Sequence, residues 1–290
     1  MDFDFDTLAR PSRYKLLTSL VVPRPIALVT SVGGAGIVNA APFSFFNVFG
    51  SKPPVLIFSP ARRVRDNTIK HTLENIYATK EVVINVVNYN MVQQTSLASC
   101  EYPKGINEFA KAGFTPIASE MVRPFRVKES PVQLECKVMQ VIETGQEGGA
   151  GNLVICEMLC MHIDDAILDA SGKIDPNKID LVARMGADYY CRASGSAVFE
   201  VPKPNIELGV GIDALPETIR NSSVLTGNNL GLLANCTAIP AIADMQDDRM
   251  NDIVNSSGSP ADKQRALHAY AKELLEAGDV QKAWQILLLQ

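Results

Sequence analysis

The stretch from Pro23 to Asn85 constrains the fold of this chain more than any other, because apolar β-branched runs alternate there with turn residues. The runs PRPIALVTS and IVNAAPFSFFNVFG flank the glycine-rich sequence GGAG, which predicts a β-hairpin over residues 25–40. A further apolar strand, PPVLIFS, leads into the basic segment ARRVRDNTIKHT and then into the strand EVVINVV. Strands connected by short polar segments are typical of an antiparallel sheet.

The same signals extend this pattern over the first two thirds of the chain. Strands are predicted at 25–31, 36–41, 54–59, 81–88, 123–128, 131–144 and 152–164, with helices near 68–79, 90–112 and 176–186. Because only short helices separate the strands, the pattern favours a closed or nearly closed antiparallel barrel over a doubly wound parallel sheet. The fold class is therefore mainly β with α.

The composition changes character beyond residue 200. The Pro-rich segment VPKPN marks a boundary, and a Leu-rich helix follows within residues 221–235. Ser259 and Pro260 are a suitable N-cap and first helical residue for a long helix that stops at Gly278. We expect two domains, a barrel over 1–200 and a helical C-terminal extension over 201–290.

Polar side chains lie where the predicted strands end, and a cluster of cations follows them. Hydroxyls, an amide and cations beside small apolar residues suit a flat aromatic ligand that carries a phosphate, a description that fits flavin mononucleotide (FMN). Arg65, Asn67, Lys70 and Thr72 are the candidates for the phosphate, because Arg offers a bidentate fork and a helix begins nearby. Arg24, fixed between two prolines, is a candidate for the same phosphate or for a contact between subunits.

The segment NAAPFS, residues 39–44, is the most specific part of this pattern. Pro42 has no N–H to donate to a sheet ladder, so the backbone here leaves the sheet or runs along its edge. Small side chains let this backbone approach a ring closely, and Phe43 or Phe45 could pack beside it. The alternative is that these phenylalanines belong to the core.

These motifs resemble the flavin reductase-like family of FMN-binding split barrels. The similarity runs through PRPIALVTS, NAAPFSFFN, KHTLENI, NEFAKAGFTP, VKESPVQLECKV and LVARMGADYY, and covers roughly residues 12–195. The family usually has Asp where this chain has His71, so any role of that Asp is not transferred. The resemblance adds Thr30 and Ser31 as donors to the phosphate or ribityl chain and implies a homodimer with FMN at the interface. The predicted cofactor site comprises Arg24, Thr30, Ser31, Asn39, Ala41, Pro42, Phe43, Ser44, Ser59, Arg65, Asn67, Lys70 and Thr72.

The sequence assigns no catalytic residue, since GxSxG, HExxH and P-loop motifs are all missing. This is expected where the cofactor supplies the chemistry. The leading function is an FMN-dependent oxidoreductase that takes hydride from transiently bound NAD(P)H and passes electrons to flavin or another small acceptor. The alternatives are an FMN-binding electron carrier or flavin store without turnover of its own, and an interaction protein whose helical tail is the functional part.

The net charge, the apolar segments and the cysteines limit the partners and the cellular compartment that we expect for this protein. A net charge of −5 argues against a nucleic-acid partner. No segment approaches the ~20 continuous apolar residues of a membrane span, and the acidic start lacks a signal-peptide pattern. Six scattered cysteines without ligand spacing indicate a reducing cytoplasm, and neither they nor three separated histidines predict a metal site.

Overall fold

The computed structural model describes residue 4 and residues 7–202, 208–243 and 245–289. Most of the acidic start, and residues 203–205 of the Pro-rich segment, lie outside these ranges. The chain divides into two units, Met1–Phe199 and Glu200–Gln290. Among the described residues, no helix has both the length and the apolar character needed to cross a membrane.

The first unit contains the strands and five helices of the described chain. Its strands are β1 (Arg24–Pro25), β2 (Ala27–Val32), β3 (Val38–Phe43), β4 (Phe46–Ser51), β5 (Pro54–Phe58), β6 (Glu81–Val86), β7 (Pro116–Ile117), β8 (Arg126–Val127), β9 (Val132–Glu143), β10 (Asn152–Ile163), β11 (Leu181–Gly186) and β12 (Tyr189–Ala193). Its helices are α1 (Arg10–Leu20), α2 (His71–Thr79), α3 (Val92–Leu97), α4 (Glu108–Ala112) and α5 (Pro176–Ile179). Short 3₁₀ turns are found at Tyr89–Met91, Asp165–Ile167 and Gly195–Ala197.

The strands form a large antiparallel sheet and two small ones. The large sheet has the order β3-β2-β6-β9-β10-β5-β4, while β1-β11-β12 and β7-β8 form the small sheets. The prediction of an antiparallel sheet with short helices is confirmed. The structure also confirms that Pro42 runs along an edge, because β3 is the first strand of the large sheet.

Strand β2 explains why the sequence there is a continuous apolar run rather than an alternating one. Ala27 and Val29 face one hydrophobic cluster together with Phe58, whereas Leu28 faces another cluster with Phe109. Both faces of the strand are therefore covered, and each fully buried Val or Leu contributes about 1.5–3 kcal/mol. This double burial holds β2 at the centre of the first unit.

The predicted helix over residues 176–186 is wrong beyond its first turn. Asp175 caps the short α5 by accepting hydrogen bonds from the N–H groups of Asn177 and Lys178, and Asp180 then adopts a left-handed conformation with φ 52°. The chain continues as β11, which pairs with both β1 and β12. Pairing with distant strands overrides the local helical pattern.

Strand β4 is absent from the sequence-based prediction, which treats its residues as the continuation of an aromatic segment. It pairs with β5, with a register shift between Val48 and Gly50, and forms the second edge of the large sheet. Val48 and Phe49 are each more than 60% exposed on it. A strand that leaves its apolar side chains exposed shows little of the inward–outward alternation that predicts strands.

The second unit is helical, as the sequence predicts. Its helices are α6 (Glu217–Arg220), α7 (Gly227–Ala234), α8 (Asp248–Asn255), α9 (Pro260–Glu276) and α10 (Val280–Leu288), with a 3₁₀ turn at Ile212–Ala214. The Ser259 side chain accepts a hydrogen bond from Asp262 N, which confirms it as the N-cap of α9. Leu267, Ala271 and Leu275 are buried in a cluster with Trp284 of α10.

Asp247 is the main polar contact inside the second unit. Its carboxylate accepts hydrogen bonds from Met250 N and Tyr270 Oη, and lies 2.7 Å from Lys282 Nζ. Burial alone would raise the pKa of Asp247, but the hydrogen bonds from Lys282, Met250 and Tyr270 outweigh it and lower the pKa to about 2. This side chain therefore ties α8, α9 and α10 together in its ionised form.

Candidate functional site

The basic segment after β5 is a loop with its own internal support. Asn67 is left-handed, with φ 56°, a conformation that Asn tolerates better than most residues. Arg62 donates through Nε and Nη2 to the Oδ1 and backbone oxygen of Asn67, both at 2.8 Å, and Asn67 Nδ2 donates to Gln146 O. Arg62 and Asn67 thus hold the loop in shape, and the Asn67 side chain is engaged there.

Three other cations converge at the open side of this loop. Arg63, Arg65 and Lys70, here called the cation cluster, each have a nitrogen 3.4–3.5 Å from the carboxylate of Glu101. Arg65 Nη2 also lies 3.4 Å from Asp66 Oδ2, so three positive charges face two carboxylates and leave a surplus of one. Arg65 is 75% exposed and Lys70 32% exposed, so both are accessible to a dissolved anion.

Helix α2 begins directly behind the cation cluster. Lys70 is its N-cap in an extended conformation, and no side chain caps the helix there. The first N–H groups of a helix have no partner within it and carry a partial positive charge. A nine-residue helix whose start adjoins a cation cluster is a suitable binding place for a phosphate.

Asn39 and Thr72 lie in a buried polar network rather than on the loop surface. Thr72 Oγ1 donates to Asn39 Oδ1 at 2.6 Å, and Asn39 Nδ2 donates to Glu108 Oε1 at 2.9 Å. Glu108 also accepts a long hydrogen bond of 3.4 Å from Ala40 N. This Asn39 network connects β3, α2 and α4, and it positions the start of α2.

Thr30 and Ser31 are likewise buried and already hydrogen-bonded. Thr30 Oγ1 donates to Phe125 O at 2.6 Å, and Ser31 Oγ accepts from Asn75 Nδ2 at 3.0 Å. Each side chain is 1% exposed. Their hydroxyls support the sheet and α2, and their assignment as ligand donors stays a prediction.

Arg24, Ser44 and Phe45 form a second group. Arg24 Nη1 donates to the backbone oxygens of Thr18 and Val21, while its Nε lies 3.5 Å from Ser44 Oγ. Its guanidinium is 5.7 Å from the centre of the Phe45 ring. Burial lowers the pKa of Arg24, which nevertheless remains a cation at neutral pH. Arg24 thus fixes the chain between β3 and β4.

The remaining predicted residues lie around this second group. Phe43 is buried in the core with its ring 5.5 Å from that of Phe58, and Phe45 is exposed by contrast. Ser59 N donates to Phe45 O at 2.8 Å, which brings the end of β5 beside Ser44. Ala41 and Pro42 are half-buried on β3.

A cavity of about 250 Å³ lies beside the first turn of α2. The turn between β2 and β3 lines it on one side, at Gly33 and Gly34, and the side chains of His71, Asn75 and Glu108 line the other. Pockets that enclose drug-sized ligands usually measure roughly 300–1,000 Å³. This cavity by itself is therefore too small to enclose a whole flavin.

The sequence did not predict Arg63 or Glu101 as residues of the candidate site. Arg63 stood among several basic residues with nothing to set it apart, yet its side chain is 14% exposed and its Nη1 donates to Thr68 Oγ1 and Ile69 O. Glu101 follows Lys70 by 31 residues and carries no motif. A contact over that distance has no local signal.

The chain was compared with known families and structures. The flavin reductase-like domain matches residues 19–176. A protein of Aquifex aeolicus is 39% identical over 198 residues, covering 68% of this chain and 96% of that protein.

Two solved structures are also similar. Nitrilotriacetate monooxygenase component B from Bacillus cereus has a TM-score of 0.65 at 27% identity, covering 69% of this chain and 98% of that one. The 2-nitrobenzoate 2-nitroreductase of Pseudomonas fluorescens has a TM-score of 0.62 at 28% identity, covering 70% and 96%. The domain match, the relatives and the split-barrel fold agree, and the chain belongs to the flavin reductase-like family.

Proposed function

We propose that this protein binds FMN and uses it as an oxidoreductase that takes hydride from NAD(P)H and reduces flavin or another small acceptor. The observation that carries the proposal is the cation cluster at the uncapped start of α2, in a chain of the flavin reductase-like family. Its surplus positive charge complements the negative charge of a phosphate monoester. The names of two similar structures, a nitroreductase and a monooxygenase component, support redox chemistry.

FMN is favoured over FAD because the described loop offers one compact anion site. A dinucleotide typically requires a glycine-rich helix start for its pyrophosphate, and the sequence has no GxGxxG motif. Arg65 and Lys70 would hold the phosphate, with the first amides of α2 behind it. Ser44, Ser59 and the backbone of residues 41–44 would face the remainder of the cofactor, with Phe45 as the exposed ring nearby.

When bound, the flavin would supply the chemistry by accepting a hydride and passing electrons on, so no protein acid or nucleophile is required. The protein's own residues orient the cofactor and limit its access to water. Any nicotinamide would bind transiently over the flavin, since the sequence has no GxGxxG motif and the described strands pair only antiparallel, without a βαβ unit.

We further propose that the protein is a homodimer with FMN at the interface. Phe45, the ring proposed to lie near the cofactor, is exposed, so a flavin placed beside it would need another surface to cover it. Phe45, Val48 and Phe49 are exposed in and next to β4, and a second copy is the commonest partner for such an apolar surface. Light scattering tests this: a monomer of 31.5 kDa with stoichiometric FMN would contradict it.

All six cysteines lie in the described residues and all are free thiols. Free thiols in this number fit a reducing compartment, and we propose the cytoplasm.

Anaerobic reduction separates the oxidoreductase from the electron carrier. Purified protein is loaded with FMN, and the visible flavin absorbance is followed after NADH or NADPH is added without oxygen. An oxidoreductase bleaches the band at a rate that saturates with nicotinamide, whereas a carrier bleaches only with a chemical reductant such as dithionite. Protein that cannot be loaded with FMN at all would contradict the cofactor assignment.

A further inference from the structure

The helical second unit contains a cavity of about 620 Å³ whose lining is separate from the residues proposed for the flavin. It lies between the end of α7, the segment that follows this helix, and the start of α10. Pockets that hold drug-sized ligands usually measure roughly 300–1,000 Å³. The family match ends at residue 176, so this cavity lies outside the part of the chain that defines the family.

The wall of the cavity is the edge of the hydrophobic cluster of the second unit. Four half-buried side chains that pack against this cluster also line the cavity, namely Leu232, Cys236, Met245 and Val280. Trp284, a buried member of the cluster, lines it as well. Apolar surface that the fold leaves uncovered in a concave place favours an apolar ligand, because covering it removes that surface from water.

Several charged and polar side chains of the wall are already engaged within the unit. Lys282 Nζ lies 2.7 Å from the Asp247 carboxylate. The exposed Asp279 caps α10 by accepting a hydrogen bond from Lys282 N. Gln285 Oε1 accepts a hydrogen bond from Ala243 N at 2.7 Å. Because Lys282 is paired and Asp279 is hydrated, the cavity favours an uncharged ligand, which loses little by leaving water.

Trp284 differs from these side chains in its hydrogen bonding. Its indole N–H, at Nε1, is buried and has no hydrogen-bond partner among the described residues. Most buried donors in folded proteins have a partner, since an unpaired one is unfavourable. An indole N–H can only donate, so its partner must offer an acceptor such as a carbonyl oxygen.

We propose that this cavity binds a small, uncharged and largely apolar molecule whose carbonyl oxygen accepts a hydrogen bond from Trp284 Nε1. The apolar wall supplies most of the affinity, and the indole N–H selects a ligand that carries an acceptor. The site belongs to the second unit and does not depend on FMN or on the proposed reaction.

Acetophenone and ethylbenzene are matched probes for this site, because they have the same ring and nearly the same size but only the ketone has an acceptor oxygen. Trp284 is the single tryptophan of the chain, so a proton–nitrogen correlation spectrum of labelled full-length protein contains one indole N–H resonance. Titration with acetophenone should move this resonance downfield, and the shift should saturate. A resonance that stays in place up to the solubility limit of the ketone would overturn the proposal.

Trp284→Phe removes the donor and keeps an aromatic ring in the wall. Since the smaller ring affects both probes, the informative quantity is the ratio of their affinities, measured by ligand-observed NMR. The affinity for acetophenone relative to ethylbenzene should fall about 3–10-fold, the usual size of one neutral hydrogen bond. An unchanged ratio would contradict the proposal.

A matched pair of variants tests the cavity itself. Val280→Phe adds bulk to the wall and should weaken binding of both probes by about 10-fold or more. Val254→Phe adds the same bulk at an exposed position of α8 that does not line the cavity, and it should bind both probes like the wild type. Melting temperatures of the two variants show whether each is folded. Wild-type affinity in a folded Val280→Phe, or equal losses in both variants, would count against the site.

Discussion

Two polar regions of the first unit differ in how their residues are partnered. In the Asn39 network, donors and acceptors from β3, α2 and α4 satisfy each other in the interior. In the cation cluster, three positive charges face two carboxylates, Glu101 and Asp66, at the surface. A polar residue near a predicted site is available to a ligand when its hydrogen-bonding groups have no partner within the fold. Where the fold already satisfies those groups, as in the Asn39 network, the residue has a structural role.

The largest effect should come from breaking the interior region. Asn39→Ala removes the donor to Glu108 and leaves a carboxylate that is 5% exposed without its main partner. Loss of a hydrogen bond to a charged group costs about 1.5–3 kcal/mol and loss of the Thr72 hydrogen bond about 1 kcal/mol more, so the free energy of unfolding should fall by roughly 2.5–4 kcal/mol. Urea denaturation measures it. Asn47→Ala, at an exposed position of β4, is the control and should change stability by less than about 0.5 kcal/mol.

Substitutions in the cation cluster should weaken ligand binding rather than stability. Arg65→Ala combined with Lys70→Ala should weaken FMN binding by something on the order of 2–4 kcal/mol, because charge-assisted hydrogen bonds to the phosphate are lost. Fluorescence titration measures the affinity, and stability should change little. Lys137→Ala with Arg265→Ala removes the same charge at exposed positions elsewhere and should leave FMN affinity unchanged. Unchanged affinity in the first double variant would refute the phosphate assignment.

In the second unit, Asp247 resembles the Asn39 network, because its ion pair with Lys282 lies within the unit. Its folded pKa of about 2 is below the unfolded value, so its contribution is present above about pH 4 and is lost as the pH falls towards 2. Asp247→Asn should lower stability at pH 6 by about 1.5–3 kcal/mol, through the loss of hydrogen bonds to a charged group. Denaturation at pH 6 and pH 2.5 should show a smaller difference between the two pH values in the variant than in the wild type.

The smallest effect should come from Glu101. Glu101→Gln removes the carboxylate that lies near all three members of the cation cluster, so a phosphate should bind more tightly by up to about 1 kcal/mol, the usual scale of an exposed ion pair. The gain should be larger at low salt, since ions screen such surface charges. Titration of FMN at two salt concentrations tests this. Weaker FMN binding in the variant would show that Glu101 has a different role.

The sheet could be predicted from the sequence because its strands are buried on one or both faces. Residues 27–32 and 81–86 are largely apolar and do not alternate with polar residues, and burial explains both. Strand β4 and the start of β11 could not be predicted in the same way. Strand β4 exposes its apolar residues. Strand β11 depends on pairing with Arg24 and Pro25, which are far away in the sequence.

The place of the basic loop in the fold was predictable, whereas the hydrogen-bond partners of the candidate residues were not, and their binding of a cofactor stays a prediction. The basic loop and the start of α2 follow from residues 62–72, which are contiguous. Whether Thr30 or Asn39 is free to bind a ligand depends on Phe125 and Glu108, which are 95 and 69 residues away in sequence. No local pattern contains such partners.

Pro42 has a consequence for how copies of this protein can associate through their sheets. Open-ended growth of a fibre requires each copy to offer two edges that accept a further strand, one to each neighbour. Pro42 removes an N–H from β3, so this edge of the large sheet is a poor template for another strand. Strand β4 is the better template at the other edge. The large sheet therefore has one edge that can pair with a second copy, and it cannot be extended from both of its edges.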